Sequence, residues 1–170
     1  MAPDLKTLYE FETNMENGFQ TILTAPLGSI TGNIYTQRQN VEKKSPRCEL
    51  KFTLGSYTGH KGQDNAGVWR YDMWRFKLEA TFITDRQENF AAHELMIGQT
   101  RACLEDVFTN VNLMPGTASA SSGAPIPFYW ICQLCESGTI PGFHSEDDTD
   151  QSQITFAGVF ALRPGAWPPV

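Results

Sequence analysis

Residues 68–84 constrain the fold more than any other stretch. Trp69, Tyr71 and Met73 alternate with polar residues, and Trp74, Phe76, Leu78, Ala80 and Phe82 continue the alternation in the opposite phase. Successive strand side chains point to opposite faces, so a period of two over this length predicts a long β-strand with one buried face. The change of phase between Met73 and Trp74 predicts either a β-bulge within the strand or a strand that is apolar on both faces near its middle. Residues 47–55 repeat the pattern: Cys48, Leu50, Phe52 and Leu54 alternate with Arg47, Glu49, Lys51 and Thr53. Strands of this kind belong to an antiparallel sheet with one covered face.

The cover comes from two helical patterns. Over 4–24, Leu5, Leu8, Met15, Phe19 and Ile22 recur at helical spacing beside Tyr9, Phe11 and Leu23. Asp4 is placed to cap the first turn, and Pro26 and Gly28 predict the stop. Over 86–109, Phe90, His93, Ile97, Leu104 and Phe108 form a stripe flanked by Met96, Cys103 and Val107, and Asp85 and Glu88 have the spacing of a capping box. Shorter strands are predicted at 33–37, at 128–137 and at 153–163, the last carrying Ile154, Phe156, Phe160 and Leu162. Gly55, Gly59, Gly62 and Gly67 predict a long loop over 55–67. Residues 113–127, rich in Ala, Ser, Gly and Pro, read as an extended arm. A turn region over 138–150 holds Gly138, Pro141 and Gly142, then the acidic run Glu146, Asp147, Asp148 and Asp150. The tail 164–170 is too rich in proline for a regular element. The simplest assembly is one domain over 1–170 of α+β class: a mainly antiparallel sheet of about four to five strands with two helices packed on one face.

Composition narrows the function. The chain has 170 residues, 41% of them hydrophobic, with a net charge of -6. The apolar share argues against disorder, and the acidic balance against a protein whose main task is to wrap nucleic acid. No run of about 18 apolar residues suggests a membrane span. Met1 to Lys6 lacks a basic region followed by an apolar stretch, so no signal peptide and a cytosolic place of synthesis are expected. Cys48, Cys103, Cys132 and Cys135 are then expected as free thiols. Cys132 and Cys135 have the spacing of half a zinc site but lack a second pair. The glycine-rich stretch 55–62 lacks the spacing of a phosphate-binding loop, the acidic run lacks the EF-hand pattern, and no G-x-S-x-G elbow is present. His93 lies on the apolar side of its helix and reads as a core or interface histidine. Cys103 is ten residues further on, about 15 Å of helical rise away. No metal, cofactor or catalytic residue is expected. The aromatics Trp69, Tyr71, Trp74, Tyr129 and Trp130, together with the long polar loops, suit an assembly component better than an enzyme.

The order of these segments resembles the tail terminator proteins of long-tailed bacteriophages, also described as tail completion proteins. The resemblance is carried by Leu5 to Leu23, Cys48 to Leu54, the strand Tyr71 to Phe82 leading into Asn89 to Leu104, and the closing strand Gln153 to Leu162. It covers most of the chain except 113–127 and 164–170, and rests on element order and strand character. It implies a virion protein, assembled in the host cytoplasm, that forms a ring, typically a hexamer, at the head-proximal end of the tail tube. Such a ring ends tube polymerisation and joins the tail to the neck or head. Its partners are further copies of itself, the tail tube protein and a neck or head-completion protein. DNA passes through the lumen without specific binding, and there is no membrane partner, cofactor or catalysis. Under this resemblance the candidate subunit, tube or neck contacts are Tyr57, His60, Lys61, Trp69, Trp74, Pro115, Pro125 and Phe128. The candidate lumen or acidic contacts are Glu146, Asp147, Asp148 and Asp150. A neck or head-completion connector has a similar element order and is the alternative. A small ligand-binding or hydrolytic α+β domain is the remaining one.

Overall fold

The computed structural model describes residues 5–63, 69–85, 90–109, 128–129, 136–144 and 149–162, with side chains over 12–56, 74–85, 91–108 and 149–158. Its elements run α1 (Leu5–Leu27), β1 (Ile34–Thr36), β2 (Arg47–Gln63), β3 (Trp69–Asp85), α2 (Phe90–Thr109), β4 (Phe128–Tyr129), β5 (Glu136–His144) and β6 (Thr149–Leu162). The strands form one six-stranded sheet in the order β1-β2-β3-β6-β4, with β5 also paired to β6. Every pairing is antiparallel except that of β1 with β2. The class is α+β, as the alternation and helical stripes predict.

One face of the sheet holds the core. The register aligns Cys48 with Phe82, Leu50 with Ala80 and Phe52 with Leu78, and on the other side of β3 it aligns Leu78 with Phe156 and Ala80 with Ile154. All of these side chains are buried. From α1 come Met15, Phe19, Leu23 and Leu27, an i, i+4 row. From α2 come Met96, Leu104, Val107 and Phe108. Phe19 of α1 stacks on Phe52 at 6.2 Å, and Phe52 on Phe76 at 5.7 Å. Phe108 of α2 meets Phe19 at 5.6 Å, Phe76 at 5.6 Å and Phe156 at 5.5 Å. These ring contacts of both helices fall on the one apolar face. The alternate positions of the central strands are polar: Lys51, Arg75 and Lys77 are exposed, Lys77 pairs with Glu79, and Gln153 reaches Glu79 and Thr81.

Polar side chains fasten α1 along the edge strands. The carboxylate of Glu16 accepts the Phe52 N–H at 2.9 Å, that of Glu12 accepts the Leu54 N–H at 2.7 Å, and Gln20 Nε2 donates to the Ile34 carbonyl at 2.6 Å. Arg38 binds Glu12 at 2.6 Å and Glu16 at 3.3 Å, and donates to the Phe52 carbonyl at 3.3 Å.

Five expectations are corrected. The helix does not stop before Pro26, which lies inside α1. The missing proline N–H costs only one bond that close to the C-terminus, and Leu27 beyond it is fully buried. Gly28 follows because a Cβ there would lie 2.9 Å from the Thr24 carbonyl oxygen. Residues 55–63 are not loop but the outer half of β2, because β3 supplies backbone partners as far as Trp69. Of the two readings of the phase change in β3, the bulge is overturned, since the pairing with β6 runs unbroken from Asp72 to Asp85, and the strand apolar on both faces near its middle is left. The irregularities lie in β2, between Leu54 and Tyr57 and between Tyr57 and Gly59. The turn region begins with a strand, β5, and its ladder skips Pro141 and Gly142 at the irregularity between Ile140 and Phe143, the kind of place where proline is tolerated in a sheet. Asp85 is the last residue of β3, its N–H bonded to Ser45 Oγ, rather than a cap of α2. Asp4, Glu88, most of the 128–137 strand, the arm 113–127 and the tail 164–170 lie outside the described residues.

Truncating Phe108, which touches the rings of Phe19, Phe76 and Phe156 among the described residues, is expected to cost about 3–5 kcal/mol as Phe108→Ala and clearly less as Phe108→Leu, since the larger residual cavity dominates the loss. Urea unfolding midpoints of the two variants check this.

Candidate functional site

The segments that carry the candidate contact residues meet at one end of the sheet. Described core packing on β2 and β3 reaches Leu54 and Trp74. Beyond Leu54 the strand β2 continues to Gln63, roughly 30 Å at about 3.3 Å per residue. Gly55 opens this stretch, where a Cβ would come within 3.2 Å of Arg75 Cβ and 3.3 Å of its carbonyl oxygen. Two register shifts follow at once, and such bulges bend a strand and increase its twist.

Past the shifts, Tyr57 pairs with Trp74, His60 with Asp72, Lys61 with Tyr71, and Gln63 with Trp69. On the other side of β3, Trp74 pairs with Phe160 and Asp72 with Leu162. Leu162 in turn pairs with Phe128 of β4. Six of the eight contact candidates, Tyr57, His60, Lys61, Trp69, Trp74 and Phe128, therefore share this end of the sheet, although the sequence scatters them over three segments. Trp74 is partly buried against the core. Pro115 and Pro125 lie outside the described residues, as do Glu146, Asp147 and Asp148. Asp150 is not in a turn: it stands in β6, opposite His144 on one side and Thr84 on the other.

A second polar constellation lies within the core at the other end. His93 of α2 is 2% exposed. Its Nδ1 is 2.8 Å from Thr84 Oγ1 on β3, and its Nε2 is 2.9 Å from Ser152 Oγ on β6. Burial pushes the imidazole below its ordinary range, while the charges of Asp150 and Glu94 pull it back up. A neutral imidazole donates from one nitrogen and accepts at the other, and a hydroxyl can serve either role, so the array is satisfied without a charge. Ser152 is 5% exposed. A serine hydrogen-bonded to a histidine has the look of a nucleophile and its base; here both are buried, and the array ties α2 to β3 and β6. His93 is the core histidine that its place on the stripe predicts. Thr84 and Ser152 were missed. The signal for them is a polar residue at the next buried-face position of each strand, after Phe82 and before Ile154.

Cys48 is buried and Cys103 partly buried, both as free thiols. Burial raises both above the ordinary thiol range, which opposes the thiolate a nucleophile or metal ligand needs. Cys132 and Cys135 lie outside the described residues. Among the described residues, no three His, Cys, Asp or Glu side chains gather as a metal site would require, and no helix is long and apolar enough to cross a membrane. Compared with protein-family models and with curated proteins, the chain matches none.

The lowered titration of His93 has a signed consequence. The unfolded chain takes up a proton near the ordinary 6.5, whereas the folded chain resists until a lower pH. The stability that depends on a neutral His93 is therefore complete above about pH 6.5 and is lost as pH falls through the lowered folded value. In urea titrations between about pH 7.5 and 5, His93→Gln is expected to be less stable at neutral pH and to show a shallower fall on the acid side.

Proposed function

We propose that this chain is a structural subunit of a phage tail, forming a ring at the head-proximal end of the tail tube that ends tube growth and receives the neck. The observation that carries the reading is the outer end of the sheet. There, Trp74 at the margin of the described core and five further candidates past it are brought together by β2, β3, β4 and β6. The aromatic and basic types in that group, Tyr57, His60, Lys61, Trp69, Trp74 and Phe128, suit a protein contact, since aromatic side chains recur among the residues that dominate interfaces. The order of helix, strand, long hairpin, helix and closing strands supports the reading as well. A head-to-tail ring joins two different surfaces of one subunit, and this sheet has different elements at its two edges, β1 with β2 on one side and β4 with β5 on the other. The acidic net charge of -6 suits a passage through which DNA slides without adhering.

Light scattering of the purified protein, alone and mixed with its tail tube protein, tests the reading, with electron microscopy of tube ends. A ring-sized species, free or seated on one end of each tube, is the expected result. A Trp69→Ala, Lys61→Glu variant is expected to lose that species with little change in melting temperature. A monomer that ignores the tube refutes the reading, and a protein that binds completed heads but not tubes makes it a neck connector.

A further inference from the structure

The β2 edge raises a question of its own. The short strand β1 covers β2 only from Cys48 to Leu50, and one more backbone bond, Gln37 N–H to the Leu50 carbonyl at 2.9 Å, extends that ladder. Beyond it, the outward groups of β2 would be a free template for another strand. From Phe52 to Leu54 they are occupied by side chains. Arg38, the residue after Gln37, donates to the Phe52 carbonyl; Glu16 accepts the Phe52 N–H; Glu12 accepts the Leu54 N–H. Arg38 also holds both carboxylates by ion pairing.

The spacing explains why a helix can take the place of a strand. Four helical residues rise about 6 Å, and two strand residues about 6.6–6.8 Å. Side chains at Glu12 and Glu16 therefore keep step with alternate amides of β2, with α1 running antiparallel to the strand. The next position of the row is Leu8, a residue type with no acceptor. The row of carboxylates thus ends at Leu54, where the β2 register also becomes irregular. Glu16 is 0% exposed, and its Oε2 has no hydrogen-bond partner among the described residues. A buried carboxylate held this way is costly, yet an apolar side chain in its place would leave the buried Phe52 N–H without its acceptor. At this position Glu16 holds an edge amide and Arg38 rather than merely filling space.

The geometry points to a guard: Glu12, Glu16 and Arg38 close the outer edge of β2 between Leu50 and Leu54 against strand addition by a second copy of this chain. The inference is independent of the ring reading, because its readout is mass added above that of the native protein, whatever the native state of assembly.

The test compares Glu12→Leu, Glu16→Leu with Glu12→Gln, Glu16→Gln, whose amide oxygens still accept the two N–H groups. Met96→Ala serves as a control that weakens the core without touching the edge. Sedimentation across a range of concentrations and amide hydrogen exchange are read together. The Leu pair is expected to gain higher-mass species with concentration, and to exchange the Phe52 and Leu54 amides at least about tenfold faster, as loss of a hydrogen bond to a charged acceptor implies. The Gln pair and Met96→Ala are expected to keep the native mass. Should the Leu pair fail to fold, the single variant Glu12→Leu at the partly exposed end of the row is read the same way at the Leu54 amide. Native mass at all concentrations overturns the guard, whether or not exchange quickens. Self-association of Met96→Ala to the same degree overturns it too, since general loosening then explains the effect.

Discussion

The structure depends on five phenylalanine rings in contact across five elements. Phe19 belongs to α1, Phe52 to β2, Phe76 to β3, Phe108 to α2 and Phe156 to β6. Phe108 touches three of the others, so the packing of α2 is set by rings that lie far apart in the chain. Aromatic rings offer large apolar area with few rotatable bonds, and tilted or offset contacts fix their mutual orientation. The sheet's twist and both helix positions must satisfy this one cluster. Everything with chemical character is arranged around it: the His93 array behind it, the carboxylates of α1 beside it, and the outer strands beyond it.

These polar features differ in how they meet the cost of burial. The His93 array meets it with neutrality, since two hydroxyls satisfy an uncharged ring. The Glu16 carboxylate meets it with a charge partner and a backbone N–H, and burial still raises its titration above the ordinary range despite both. Glu49, partly buried, shows the opposite balance. It is held by Lys43 and Arg47 at 2.7 Å each, and these contacts outweigh desolvation and keep its titration low. The direction of each shift follows from how much water a carboxylate has given up for each partner it has gained.

Much of the fold was legible from period alone. The run from Phe76 to Phe82, the run from Cys48 to Leu54, and the stripe holding His93, Leu104 and Phe108 all place their buried faces as the alternation or helical spacing indicates. What was not legible depended on a partner supplied from elsewhere in the chain. Gly55 to Gln63 carries loop-like residues, yet β3 pairs with it and outweighs local propensity. Glu136 to His144 contains glycine and proline, yet β6 pairs with it on both sides of the interruption. The phase change at Met73 and Trp74 is not a bulge of β3, whose ladder with β6 is unbroken; that leaves the other reading of the alternation, a strand apolar on both faces near its middle, and the bulges of β2 are a separate feature. Of the site, the residue types were visible, but their convergence needed the pairings that place Tyr57 by Trp74 and Phe128 by Leu162. The partners of His93 needed two strand alternations to be read together with one helix.

The pairing of β6 has a consequence for how the molecule comes into being. The strand β6 lies between β3 and the short strands β4 and β5, so a late segment occupies an inner position of the sheet. As the chain is synthesised, α1 through α2 emerge with one long side of β3 still bare, and the aromatic cluster lacks Phe156. Pairings between distant segments pay a loop-closure cost before their contacts are rewarded, which slows their formation. During that interval the bare side of β3 is an open template for pairing with the wrong neighbour. The interval closes only when Thr149 to Leu162 has been made and has annealed.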